Sequence, residues 1–127
     1  MLRIVIADDN DQVRRYVHEA LEDETDWKVC GEAATGREAV RLTAELKPDV
    51  VVLDLSMPEG NGMDATREIH KNFPRTEILI LTMHASPELA VAAVAAGATA
   101  CLLKSDLSSL LAAVRLCTAR SPQELPQ

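Results

Sequence analysis

The chain has 127 residues, enough for one globular domain with a single core and too few for two ordinary ones. Hydrophobic residues make up 47% and aromatics only 2%, so a packed core is expected and must be aliphatic. A net charge of −7 argues against the chain itself binding nucleic acid or an anionic membrane surface. Cys30, Cys101 and Cys117 lie far apart with no CxxC spacing, which suits a reducing compartment better than a disulfide framework. The opening MLRIVIADDN meets acid too early for a signal peptide. The longest apolar region, Leu89 to Leu103, is broken by Gly97 and Thr99 and falls short of the ~20 residues that span a bilayer. A cytoplasmic domain is expected.

Along the chain, short β-branched runs alternate with helical patterns. Leu2 to Ala7 reads as a strand. Asn10 can cap a helix in which Val13, Val17, Ala20 and Leu21 share one face. Trp27 to Ala34 reads as a second strand, and Gly36 to Leu46 as a helix broken by Pro48-Asp49. Val50 to Leu53 is apolar throughout, as in a central strand of a parallel sheet covered on both faces. Met57 to Gly62 is a loop, Met63 to Phe73 a helix stopped by Pro74, and Glu77 to Thr82 a fourth strand. Ser86 caps a helix that starts at Pro87 and ends near Gly97. Thr99 to Leu103 is a fifth strand, and Asp106 opens a last helix with Leu107, Leu110, Leu111 and Val114 on one face. From Ala119 the sequence ARSPQELPQ loses periodicity and reads as the start of a linker. The domain is therefore expected over residues 1–118 and the linker over 119–127.

Strict strand–helix alternation predicts an α/β fold, a doubly wound five-stranded parallel sheet with five helices on its two faces. Ligands in such folds bind beyond the carboxyl ends of the strands. The residues at those ends are Asp8-Asp9 after strand one, Asp54 after strand three, Thr82 closing strand four and Lys104 after strand five. Three clustered carboxylates repel one another. A divalent cation together with Lys104 would neutralise them, and oxygen-only ligands favour Mg2+ over zinc. An aspartate can attack phosphorus and form an aspartyl phosphate. Asp54 is the best placed, at the end of the most apolar strand and before a Gly-containing loop. The ammonium and the cation would then neutralise the oxygens of the transferring group, and Thr82 Oγ1 could donate to one of them. Each residue also has a bland role: Asp8-Asp9 as a helix cap, Asp54 as a turn starter, Lys104 as a surface lysine, Thr82 as a strand residue. Their joint placement at four strand ends favours the chemical reading.

The stretches IVIADDN (4–10), VVLDLSMPEGNG (51–62), ILTMHAS (80–86) and GATACLLKSD (97–106) resemble the receiver domains of two-component response regulators. LTMHAS and LLKSD are most similar to the NarL/LuxR-type branch, whose receivers usually precede a helix-turn-helix DNA-binding domain. The resemblance spans about residues 2 to 118. It implies a flavodoxin/CheY-like sheet of order 2-1-3-4-5. It implies that Asp54 accepts a phosphoryl group from a sensor histidine kinase, with Mg2+ held by Asp9, Asp54 and the backbone carbonyl of Ser56 and assisted by Asp8. Lys104 would bind the phosphoryl group, and Thr82 would move toward it. The output face would be helix four, strand five and helix five, a candidate homodimer surface. DNA would be reached only through an output domain, so that transcription is what the switch controls.

Two positions depart from the family. Cys101 stands three residues before Lys104, where an aromatic is common, and is too small to act as an aromatic rotor. Met83 follows the threonine where a small residue is frequent, and its bulk would shield a phosphoryl group on Asp54. Helix four, from Leu89 to Ala96, is almost wholly apolar, which means either close packing on the sheet or an interface. His18, His70 and His84 have no metal-ligand spacing and read as surface or loop residues. An aspartyl-phosphate hydrolase would also place acids at strand ends. That class needs a second Asp two residues after the nucleophile, and here Leu55-Ser56 follow Asp54. A degenerate receiver that only binds proteins is the remaining alternative.

Overall fold

The computed structural model describes residues 1–57 and 61–119. Five strands, β1 (Leu2–Ala7), β2 (Trp27–Ala33), β3 (Val50–Asp54), β4 (Glu77–Thr82) and β5 (Ala100–Leu103), form one parallel sheet of order β2-β1-β3-β4-β5. Between and after them run α1 (Asp11–Glu22), α2 (Gly36–Leu46), α3 (Gly62–Asn72), α4 (Pro87–Ala96) and α5 (Leu107–Ala119). The predicted architecture and strand order hold. The boundaries shift by a residue at several ends. Asp54 is the last residue of β3, and Ala34 falls outside β2. Thr99 falls outside β5 because its hydroxyl donates to Glu77 Oε1 at 2.6 Å and accepts from the Ile78 amide at 3.2 Å. Gly62 opens α3, and Phe73 caps it. Ala119, expected to begin the linker, ends α5, and the remaining tail residues, 120–127, lie outside the described residues.

Period-two alternation sorts the strand side chains onto two cores. Leu2, Ile4, Ile6, Val50, Val52, Leu79 and Leu81 face α1 and α5, where Val17, Leu21, Leu110, Val114 and Cys117 meet them. Val5, Ala7, Val51, Leu53, Ile78 and Ile80 face α2, α3 and α4, against Ala39, Ala65, Ile69 and Ala93. Every residue of β3 is buried, as a strand covered on both faces requires. Truncating a side chain such as Leu110 or Ile69 in these aliphatic layers would cost about 2–5 kcal/mol. At the far end of the sheet the one tryptophan, Trp27, is buried under α1 and α5, with the Arg115 guanidinium 5.9 Å over its ring.

The β1–β2 ladder contains one irregularity. Ile4 pairs with Val29, but Val5 pairs with Gly31, so Cys30 is an extra residue in the edge strand. A bulge of one residue reverses the parity beyond it. Val29 faces the α1 side before the bulge, and Glu32, three residues on, faces the same side after it.

Each helix begins at the edge where a strand ends, with a polar cap. The Asn10, Asn61 and Asp106 carboxamide or carboxylate oxygens accept from the amides of Val13, Asp64 and Ser109, and the Thr35 and Ser86 hydroxyls accept from those of Glu38 and Leu89. The first helix is thus capped by Asn10 and not by Asp8 or Asp9, which leaves both carboxylates for other work. In α4 only Ala93 and Ala96 are buried, whereas Val91 and Val94 are 71% and 60% exposed. The apolar stretch is therefore packed on one side and open on the other.

Gly97 ends α4 in the left-handed conformation, φ +112°. A Cβ there would lie less than 3.0 Å from three atoms of the His70 side chain on α3. Gly97→Ala is expected to lower unfolding stability by about 1–3 kcal/mol in urea titrations. Adding His70→Ala should recover part of that loss, because it removes the collision and leaves the backbone strain.

Candidate functional site

The loops at the carboxyl edge of β1, β3, β4 and β5 enclose an open crevice of about 750 Å3. Asp9, Asp54, Ser56, Thr82, Met83, His84 and Lys104 line it, with Val13 and Tyr16 of α1 at the rim. Asp8 lies beneath, 2% exposed. Oxygen atoms of Asp8, Asp9 and Asp54 all lie within 4.8 Å of one another. The structure thus gathers the predicted acids, hydroxyl and ammonium in one place, although they come from four strand ends spread over 97 positions of the sequence, from Asp8 to Lys104.

Their backbone positions follow from the sheet. The Asp8 amide still donates to the Ala33 carbonyl at 3.0 Å, continuing the β1–β2 ladder one residue past β1. Leu55 donates to Leu81 O at 3.1 Å and Lys104 to Thr82 O at 2.9 Å, which tie the β3 and β5 loops to β4. The Gly62 amide at the start of α3 donates to Leu55 O at 2.9 Å. A Cβ at Gly62 would collide with the Asp54 carbonyl oxygen and lie 2.8 Å from Leu55 Cα. Only glycine allows that close approach.

The charges are packed tightly. The Lys104 ammonium stands 3.0 Å from Asp8 Oδ2 and 3.1 Å from Asp54 Oδ1. The other Asp8 oxygen accepts from the Asn10 amide at 2.8 Å, and Asp54 Oδ1 accepts from the Ser56 amide at 3.3 Å. Burial pushes the Asp54 carboxyl above its ordinary value. Lys104 pulls the other way, and the neighbouring Asp8 charge adds to the rise. For Lys104, burial alone would lower the ammonium's value, but hydrogen bonds to Asp8 and Asp54 outweigh it and hold the group above the usual range. Asp8 Oδ2 is fully shielded, and apart from the Lys104 ion pair it has no hydrogen bond among the described residues. Three converging carboxylates with a single ammonium among them, and no His or Cys in the group, are a donor set suited to a hard divalent cation.

Thr82 is turned toward its own loop. Its Oγ1 donates to His84 O at 3.2 Å and accepts from the His84 amide at 3.3 Å. Met83 is 70% exposed at the rim. Cys101 is half-buried on β5 against the α2–α4 core, and burial pushes its thiol up.

The sequence profile of the response regulator receiver domain matches residues 4–115. The chain belongs to the response regulator receiver family. The receiver is 45% identical over 103 residues to the uncharacterized transcriptional regulatory protein YhcZ of Bacillus subtilis (strain 168), covering 81% of this chain and 48% of that protein. It superposes on the signal receiver domain of a NarL response regulator from Mycobacterium tuberculosis with a TM-score of 0.87, at 30% identity over 93% of this chain and 96% of that one. A two-component response regulator of the LuxR family from Aurantimonas sp. SI85-9A1 gives 0.88, at 38% identity over 92% and 84%. The receiver thus groups with NarL/LuxR-type regulators, and it spans about half the length of the curated relatives it matches. No described helix is long and apolar enough to cross a membrane.

Sequence reasoning passed over three contributors to the receiver's site. Arg14 Nη1 donates to the Asp8 carbonyl at 2.6 Å. His18, read as an ordinary surface residue, bridges Glu32 at 2.6 Å and Glu22 at 3.3 Å. Tyr16, 58% exposed, flanks the crevice. None carries a sequence signal, because each acts through a partner set by the fold.

The shift at Asp54 has a stability consequence. Its folded-state value lies above that of the unfolded chain, so the ionised carboxylate weakens the fold. The cost is complete above the folded-state value and vanishes below the ordinary carboxylate range. Asp54→Asn is expected to raise the melting temperature by a few degrees at pH 7 in cation-free buffer, with the gain shrinking as the pH is lowered. Calorimetric scans across that range check it, and an unchanged melting temperature at pH 7 would count against the buried-charge account.

Proposed function

We propose that this receiver is a phosphorylation-driven switch in which Asp54 accepts a phosphoryl group from the phosphohistidine of a sensor kinase. The observation that carries the reading is the Lys104 ammonium between Asp8 and Asp54 beside an open crevice. An Asp54 carboxylate oxygen attacks phosphorus, the phosphorus–nitrogen bond of the donor breaks, and the imidazole leaves with that electron pair. Asp54 must be ionised to attack, and Lys104 opposes the burial that favours its proton. A Mg2+ ion held by Asp8, Asp9, Asp54 and the Ser56 backbone carbonyl would supply positive charge against the phosphoryl oxygens.

After transfer, the acyl phosphate makes the pocket more negative than the carboxylate it replaces. Lys104 gains a stronger partner, and the Thr82 hydroxyl is drawn from His84 toward the new oxygens. Residues 83–85 and the Ser86 cap of α4 follow, so the loop relays the change without an aromatic at Cys101. The face that moves carries Val91, Val94 and, on β5, Leu103 exposed, and from Ala85 to Val114 the only charged residues are Glu88, Lys104 and Asp106. Two chains of net charge −7 can approach at such a face with little repulsion, which fits a homodimer formed on activation through α4, β5 and α5. DNA would then be engaged through an output domain of the kind that the transcriptional relatives' names imply.

Incubation with a small acyl phosphate and Mg2+ is expected to give a single phosphoryl adduct by intact mass, absent in Asp54→Asn. No adduct on the natural sequence would leave a protein-binding module as the reading. Sedimentation of the phosphorylated chain should show a shift toward dimer that Val91→Glu abolishes, and an unshifted monomer would remove the proposed face.

A further inference from the structure

Asp9 differs from the two acids beside it. Its side chain is exposed, and among the described residues its carboxylate makes no hydrogen bond or ion pair. It nonetheless converges with Asp8 and Asp54 on a common point. With no side-chain partner to hold it, the part of its direction that the fold fixes is the Cα–Cβ bond carried by its backbone.

That backbone is held from outside the crevice. The Asp8 carbonyl and the Asp9 amide belong to one rigid peptide plane. β1 ends at Ala7, so the Asp8 carbonyl lies beyond the paired strand. Arg14 Nη1 takes it at 2.6 Å. The guanidinium is fixed at its other corners, Nε to Glu32 Oε1 at 2.8 Å and Nη2 to Asp11 Oδ1 at 2.7 Å, and the side chain is only 18% exposed. Glu32 can serve because the extra residue at Cys30 turns it to the α1 side, and its second oxygen is held by His18 at 2.6 Å.

We propose that Arg14 is a positioning residue for the cation site: it fixes the plane of the Asp8–Asp9 peptide, and so the aim of the Asp9 carboxylate, without touching cation or phosphoryl group. This rests on the reading that the three acids hold a divalent cation. A purely electrostatic role would have the opposite sign. Removing a positive charge beside an acidic site strengthens its attraction for a cation, whereas loosening the Asp9 aim weakens it. Lysine separates the two, since it keeps the charge and lacks the planar fork that grips three acceptors at once.

The test is calorimetric titration of the full chain with Mg2+ for the natural sequence, Arg14→Lys, Arg14→Gln and Glu32→Asp, with melting curves in cation-free buffer. Both Arg14 variants are expected to bind Mg2+ about tenfold more weakly, the usual scale for a partner that orients a ligand. Glu32→Asp, which loosens the guanidinium from a distance, should shift affinity the same way by less. Phosphorylation of each variant by a small acyl phosphate should return to the natural rate at saturating Mg2+. Natural affinity in Arg14→Lys, or tighter binding in Arg14→Gln, overturns the proposal. If the Arg14 variants fail to fold, Glu32→Asp decides, since it keeps the charge and shortens the reach to the guanidinium, and unchanged affinity there overturns the proposal. Absence of Mg2+ binding by the natural sequence, by contrast, removes the cation reading itself.

Discussion

The Lys104 ammonium, 3.0 Å and 3.1 Å from two carboxylates that are almost wholly buried, is the contact on which the rest of the molecule turns. Burying two like charges side by side is tolerated only with compensation. Removing the partner of a buried ion pair costs about 3–5 kcal/mol. Lys104 arrives on β5, Asp54 on β3 and Asp8 just past β1, so one ammonium links three strand ends. Any added negative charge on Asp54 competes with Asp8 for that ammonium.

Around this point the fold keeps everything else apolar or capped. β3 is buried along its whole length, which puts Asp54 at the centre of the sheet edge instead of at a solvated corner. The helices start at that same edge with capped amides. Gly62 lets the start of α3 lie against the Asp54 carbonyl. The site is therefore a gap between packed elements, bordered by the Thr82–Ser86 loop that leads into α4.

The fold and the acids were legible in the sequence because each signal was local. Apolar runs of four residues marked β1, β3, β4 and β5, and Asp8-Asp9, Asp54, Thr82 and Lys104 stood where those runs stopped. Asp54 was expected just after its strand and instead closes it, a one-residue difference that hydrophobicity cannot resolve, since the residue's ladder role depends on Leu81 opposite. The Arg14 tripod was not legible. Only Asp11, three residues away, is a local partner; the others are the backbone of Asp8 and a glutamate 18 positions away, and the facing of Glu32 hinges on an extra residue at Cys30 that leaves no mark in the composition of β2. The half-open nature of α4 was also hidden, because a run of alanines and valines has no polar side from which to read a face.

Trp27 pairs with Leu2 at the start of the sheet, some six residues before the strand ends, hence roughly 20 Å from the acids by the rise of a parallel strand. Tyr16 stands at the crevice rim. The molecule's two strong ultraviolet chromophores thus mark opposite poles. Indole emission reports on the base formed by α1, α5 and Arg115, and phenol absorbance on the mouth of the pocket. A spectroscopist watching the tryptophan would see the chain unfold and remain blind to events at the crevice.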